Sequence, residues 1–288
     1  MDSLFKNVLV ATDFSTGGNN AVDTAIEICK QYKAVLHLLH VVESTDLVAG
    51  GGTGVLSAER INEIDYECRS QLYNIYETVL RTHDIRVQIH MPAGVPFNEI
   101  CKAASEMPID LIVVGKHGTS GEREFFMGST AYFVIKDATK PVITVPENFE
   151  PSEFKKILFP VRPGIKEEYG IIRPLLNKPD SSVHMMQVKP DNDQIPLPAE
   201  YQLQEIASFL KSEGVMYFHS LYPYPDLASK VLELCESTRA DLIVVDTLPD
   251  SQCSRFDAGN YIKEIVSSSK VPVLCFRSGI YMAGKTKR

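Results

Sequence analysis

Asp110-Leu111-Ile112-Val113-Val114-Gly115-Lys116-His117-Gly118, followed after nine residues by Gly128-Ser129-Thr130, is the stretch on which the fold is read. Leu111–Val114 is a short, unbroken run of branched apolar residues, the pattern of a strand buried on both faces. Ser129–Asp137 has helical periodicity. Between them lie four glycines, Gly115, Gly118 and Gly128 among them. A strand, a glycine loop and a helix in that order let backbone approach an anion closely. No side chain intervenes, N–H groups face inward and the helix N-terminus carries partial positive charge.

Working outward, the chain repeats itself. Asp110–Val114 matches Asp241–Val245 and Pro141–Val145 matches Pro272–Phe276, both at an offset of 131. Val35–Val42 matches Ser182–Val188 at an offset of 147, and Lys6–Ala11 matches Lys155–Pro160 at 149. The fall of 16 between the second and fourth strands places an insertion in the first copy, at Glu43–Ser57 with Gly50-Gly51-Gly52 and Gly54. That composition predicts a mobile loop and a possible lid. Strands are expected at Asn7–Ala11, Val35–Val42, Ile85–His90, Leu111–Val114 and Val142–Val145. Helices are expected at Gly18–Tyr32, Ala58–Thr82, Pro96–Ser105 and Ser129–Asp137. The second copy repeats the strands at Lys156–Val161, Val183–Val188, Met216–Tyr222, Leu242–Asp246 and Val273–Phe276. Alternating strands and helices give an α/β fold: two tandem, doubly wound, parallel five-stranded sheets with helices on both faces, Rossmann-like, in domains 1–148 and 153–279.

In such sheets ligands bind beyond the C-terminal strand ends, where the strand order reverses. Three segments then converge: Ala11-Thr12-Asp13 after the first strand, His40-Val41-Val42 after the second, and the glycine loop after the fourth. A carboxylate, an edge of strand backbone and a phosphate cradle suit a nucleotide.

The 288 residues carry a net charge of −8, which disfavours nucleic acid and anionic membrane as partners. No apolar run reaches the length of a membrane span. The N-terminus lacks the pattern of a signal peptide. Six cysteines without CxxC or metal spacing read as buried thiols in a reducing cytoplasm. His37, His40 and His184 read as packing residues in strands. His83, His90 and His219 show no ligand spacing, and Tyr217, Tyr222 and Tyr224 read as core and rim. GxSxG, HExxH and GxxxxGK[ST] are absent.

The chain resembles the universal stress protein family, as a tandem member of adenine nucleotide alpha hydrolase-like fold. The resemblance rests on G-x-x-G, nine residues, then G-S/T, met by Gly115, Gly118, Gly128 and Ser129. Ala-Thr-Asp-Phe-Ser at 11–15 and Leu-His-Val at 39–41 add to it. It implies ATP with Mg²⁺ in a regulatory role. Asp13 would reach the ribose or a phosphate-bound metal, and Val41 backbone would read the adenine edge. Gly115, His117, Gly118, Gly128, Ser129 and Thr130 would surround the phosphates, with Ala11 and Thr12 beside them. Asp13 or Ser129 as a plain helix cap, and His117 as a solvated loop residue, stay open. The family tends to dimerise through its last strand. A tandem chain would meet that contact internally, through Val142–Val145 and Val273–Phe276, with a homodimer also open.

The second copy departs from the signature. Asp246 stands at the place of Gly115, Pro249 at Gly118, Asn260 at Ser129, Tyr261 at Thr130 and Arg162 at Asp13; Gly259 alone matches, opposite Gly128. Acidic residues and a proline oppose a triphosphate. One competent site, in the first copy, is the expectation. A slow ATP hydrolase using Asp13 or His117, and a nucleotide-free interaction scaffold, are the alternatives.

Overall fold

The structure, a computed structural model, describes residues 5–43, 58–118, 127–161, 171–176, 180–189, 197–223, 227–247 and 258–277. The predicted lid at Gly50–Gly54, together with Cys253, Arg162, Tyr224, Pro249 and Asp250, lies outside them. The chain divides into two compact units that part between Ser152 and Glu153.

The first unit runs β1 (Asn7–Ala11), α1 (Thr16–Tyr32), β2 (Val35–Leu39), β3 (Val42–Glu43), α2 (Ala58–Thr82), β4 (Val87–His90), β5 (Ala93–Gly94), α3 (Pro96–Glu106), β6 (Leu111–Gly115), α4 (Ser129–Asp137) and β7 (Val142–Val145). Five strands pair in parallel in the order β7-β6-β1-β2-β4. Strands that feed helices on both faces bury both of their own faces, so Val8, Leu9, Val10, Leu36, Leu38, Ile112 and Ile143 are all fully buried. Helix α1 lays Ala21, Val22, Ala25, Ile26, Ile28 and Cys29 against β1 and β6. It ends at Lys33, whose left-handed backbone (φ 53°) returns its N–H to Cys29 O.

The second unit runs β8 (Lys156–Val161), a 3-10 turn at Arg173–Leu176, β9 (Ser182–Lys189), α5 (Leu197–Ser212), β10 (Met216–Pro223), α6 (Leu227–Thr238), β11 (Leu242–Asp246), α7 (Ala258–Ser268) and β12 (Val273–Phe276). Its order, β10-β9-β8-β11-β12, repeats that of the first unit, again all parallel. The repeat extends to how the first strand of each unit is anchored. Asp110 accepts from Lys6 N (2.8 Å) and Asn7 N (3.0 Å), and Asp241 accepts from Lys155 N (2.9 Å) and Lys156 N (3.0 Å).

One predicted strand is divided. Val35–Val42 becomes β2 and β3, because β1 stops at Ala11 opposite Leu39 while pairing continues on the far side. His40 N reaches His90 O (3.0 Å) and Val42 N reaches Pro92 O (2.9 Å). The glycine end of α1 is also corrected: Thr16 and Gly17 are already helical.

His90, read from the sequence only as lacking ligand spacing to cysteines or carboxylates, pairs with another histidine. His37 Nδ1 lies 3.1 Å from His90 Nε2, and His37 Nε2 lies 3.2 Å from Asn7 Oδ1. The two rings stack with centroids 5.3 Å apart. Burial, with a smaller effect from His90, pulls His37 down to about 4, and burial also lowers His90. A histidine whose folded pKa lies below its unfolded value favours the neutral native state. Stability is therefore full above about pH 6.5 and falls as pH drops toward 4. Urea unfolding of the first unit is expected to lose about 1–2 kcal/mol between pH 7 and 5, with a flatter profile in His37→Gln. Equal slopes in both proteins would show that His37 carries no such linkage.

The described cysteines are all free; Cys29, Cys235 and Cys275 are buried, and Cys68 and Cys101 half-buried. Burial pushes Cys101 and Cys235 up to about 11 and raises Cys29 and Cys275 further, so these four stay thiols at neutral pH. Tyr217 is exposed, and Tyr222 lies under the Lys230 ammonium at 5.0 Å. Among the described residues no helix is long and apolar enough to cross a membrane.

Candidate functional site

In the first unit the strand order reverses between β1 and β6: the chain winds from β1 toward β2 and β4, then returns to β6 and β7. The crevice beyond their C-terminal ends is where a ligand fits such a sheet. Ala11 closes β1. Thr12, buried, gives its N–H to Leu39 O (3.0 Å), and its Oγ1 accepts from Phe14 N (3.0 Å).

The next residues form a relay at the start of α1. Ser15 is the N-cap, its Oγ accepting from Gly18 N (3.0 Å). Ser15 in turn donates from N (3.1 Å) and Oγ (2.5 Å) to Asp13 Oδ1. The cap is thus Ser15, and Asp13 supports it from behind. A carboxylate is thereby held at the positive end of a helix.

The glycine loop closes on this relay. A methyl group placed on Gly118 would stand 2.5 Å from Asp13 Oδ2. One on Gly115 would stand 2.8 Å from Gly17 O and 3.1 Å from His117 O. At these two positions the missing side chain is a requirement of close approach. The loop after β6 and the first turn of α1 interlock, with the Asp13 carboxylate at the seam.

His117 and Gly118 are half-buried beyond β6. The loop is fixed by Lys116 N to Val145 O (2.8 Å) and Gly128 N to Lys116 O (2.9 Å). Gly128 is the N-cap of α4 without a side-chain bond, so Ser129, exposed, is the first helical residue and not the cap. The first helical bond runs from Tyr132 N to Gly128 O. The N–H groups of Ser129, Thr130 and Ala131 therefore lie outside the helical ladder. They face the end of the helix where an anion is favoured.

Val41 supplies the third segment. Its neighbours His40 and Val42 send their N–H groups to the β4 side. By the alternation of extended backbone, the peptide edge of Val41 faces the other way, across the end of β1.

Three residues take parts here that the sequence reading did not give them, although it had placed His40 in a converging segment and Phe14 in the Ala-Thr-Asp-Phe-Ser run. His40 was expected to pack within a strand. It lies beyond β2, with Nδ1 2.9 Å from Thr12 O and its ring stacked on Phe14 at 4.3 Å. Phe14 is held at φ 64°, uncommon for a bulky residue, and this places its ring on His40. Lys116 is buried at the centre of the glycine loop, and burial lowers its pKa. The signal for Phe14 was present in the Ala-Thr-Asp-Phe-Ser run. Nothing in the local pattern announces the burial of Lys116.

The second unit keeps the backbone path and alters the chemistry. Thr247 N bonds Phe276 O (2.7 Å), as Lys116 N bonds Val145 O. Asp246 is buried where the first unit has Gly115. Asn260 is exposed and Tyr261 buried at the places of Ser129 and Thr130. Gly259 lies inside α7, whereas Gly128 precedes α4. Among the described residues no group of three or more His, Cys, Asp or Glu is placed to hold a metal ion.

The chain has relatives among known proteins. The profile of the Universal stress protein family matches residues 4–146. The chain is 31% identical over 144 residues to Universal stress protein MJ0531 of Methanocaldococcus jannaschii, covering 50% of this chain and 84% of that one. It is 31% identical over 147 residues to Universal stress protein YxiE of Bacillus subtilis, covering 49% and 99%. It is therefore about twice as long as these relatives. A universal stress protein structure from Archaeoglobus fulgidus superposes with a TM-score of 0.74 at 18% identity, covering 97% of this chain and 100% of that one. At that identity the likeness is one of fold.

Proposed function

Since this chain belongs to the universal stress protein family, we propose that its first unit binds ATP with Mg²⁺ in the β1–β6 crevice and that binding serves regulation rather than catalysis. The observation that carries this reading is the glycine loop closed on the Asp13 relay, where a side chain at Gly115 or Gly118 would collide. Main-chain N–H groups at the start of α4, with Gly115, His117, Gly118 and Gly128 around them, would take the phosphates. The Val41 peptide edge has one donor and one acceptor, the pair needed to read adenine. Thr12 and Ala11 would floor the ribose pocket, with Asp13 at its rim.

Asp13 also fits a role toward the metal. A carboxylate beside a triphosphate is repelled unless a cation lies between them. Magnesium held by one protein carboxylate, phosphate oxygens and water needs no cage of protein ligands. Asp13 would supply the carboxylate oxygen here.

We propose that the second unit does not bind ATP in this manner. The buried Asp246 puts a carboxyl side chain where the first unit has a glycine and close backbone packing. Mass spectrometry of nucleotide co-purifying with the full chain tests the reading. An adenine nucleotide is expected with the wild type and none with Gly115→Val. No nucleotide bound to the wild type, on purification or after addition of millimolar Mg-ATP, would support a nucleotide-free scaffold instead.

A further inference from the structure

Helix α2 carries more apolar surface than its core contacts use. It packs on β4, and Leu72 and Val79 on that side are fully buried. On the side turned away lie Tyr66, Tyr73 and Leu80, which are 74%, 57% and 43% exposed. Among the described residues of the first unit, Val95 is the one other large apolar side chain left exposed.

The spacing defines the kind of surface. Tyr66, Tyr73 and Leu80 are seven residues apart. A seven-residue step turns a straight helix by only about 20° short of two turns, so the three form one stripe about 21 Å long. Tyr76 meets the Tyr73 ring edge-on at 5.6 Å and fixes it. A stripe with this period is the one by which a helix meets another helix. Tyrosines on it offer a large contact area with little side-chain freedom to lose.

The charges beside the stripe define which helix. Arg69 and Glu77 stand four residues before and after Tyr73, and Asp65 and Arg81 stand eight before and after. Within α2, Arg69 Nε bonds Asp65 Oδ2 (2.6 Å) and Arg81 Nη2 bonds Glu77 Oε2 (3.1 Å). A second copy of α2 laid antiparallel about Tyr73 puts Glu77 level with Arg69, Arg81 level with Asp65 and Leu80 level with Tyr66. Opposite charges then share a height at all four of these charged positions. Laid parallel, each of these residues meets itself, and like charges share every height. An antiparallel pair centred on one residue has two-fold symmetry, so the contact closes at two copies. In its charges α2 is complementary to its own reverse.

We propose that the exposed face of α2 is a docking surface for a second copy of this chain, the two α2 helices packing antiparallel with Tyr73 at the two-fold axis. Tyr73 of each copy meets that of the other, and Tyr66 meets Leu80. Arg69 and Glu77 lie about 40° to either side of the stripe, and Asp65 and Arg81 about 80°. The charges therefore form a rim that sets register and direction, while the tyrosines supply most of the affinity. The surface uses no residue of the nucleotide crevice, and none of β7 or β12, whose residues are buried.

Sedimentation equilibrium of the full chain tests the proposal. A reversible dimer is expected, with a Kd of about 1–100 µM at about 0.15 M salt for a contact of one helix pair. Tyr73→Glu, at an exposed position, should leave the melting temperature unchanged and the chain monomeric at about 300 µM. Arg69→Glu and Glu77→Arg should each weaken association at least tenfold. The double variant, in which opposite charges are level again, should recover most of that loss. Both singles and the double lose ion pairs within α2, so recovery reports the contact between copies and not the stability of the helix. A monomeric wild type at about 300 µM would overturn the proposal. So would a dimer that survives Tyr73→Glu, the result expected if copies pair through another surface, or a double variant that associates no better than the singles.

Discussion

Gly115→Val is expected to abolish nucleotide retention, lowering affinity at least a hundredfold, and to destabilise the first unit by about 2–4 kcal/mol. The cause lies on both sides of the residue. A β-carbon there meets Gly17 O at 2.8 Å and His117 O at 3.1 Å, both backbone atoms that cannot rotate away. The loop after β6 would be pushed off the first turn of α1, and its N–H groups would lose their aim. Gly118→Ala separates binding from folding. Its β-carbon meets a carboxylate, Asp13 Oδ2, which can swing aside at the expense of its bonds to Ser15. That variant should keep most of its stability and still bind at least tenfold more weakly. If Gly118→Ala binds Mg-ATP as the wild type does, the seam between the two loops is not where the phosphates lie. Chemical denaturation alongside calorimetric titration reads both quantities.

The second large effect is expected at Asp13. Asp13→Asn keeps an oxygen that can accept from Ser15 and removes the charge, so the fold should be nearly unaffected. Affinity for Mg-ATP is expected to fall about tenfold, while affinity for ATP in the presence of EDTA should rise, because repulsion of the phosphates is relieved. Asp13→Ala removes the support of the cap as well and should also cost about 1 kcal/mol of stability. Wild type and Asp13→Asn showing the same response to EDTA would exclude any part for Asp13 in holding the metal. The same variants bear on a slow hydrolase. Phosphate release above background, lost in Asp13→Ala at saturating ATP, would move the reading from regulation to catalysis.

Much of this could be read from the chain because the repeat acts as its own control. Leu111–Val114 and Leu242–Val245 are unbroken apolar runs between helical patterns, and both became central strands of parallel sheets. Gly115 and Gly118 were legible because their spacing to Gly128-Ser129 is long and specific. What escaped the sequence depended on contacts across strands. His37 and His90 are 53 residues apart and meet only because β2 pairs with β4. His40 looked like a strand residue; the early end of β1 leaves it free to turn toward Thr12. Asp13 was weighed as a helix cap, and local geometry gave that part to Ser15, two residues nearer the helix.

The central claim is that two copies of one sheet hold a single nucleotide site, in the first. Native mass spectrometry of the full chain titrated with Mg-ATP tests it most directly. One nucleotide per chain is expected at saturation, lost in Gly115→Val and kept in a variant altered at Asp246. Two equivalent nucleotides per chain, or one that survives Gly115→Val, would contradict it.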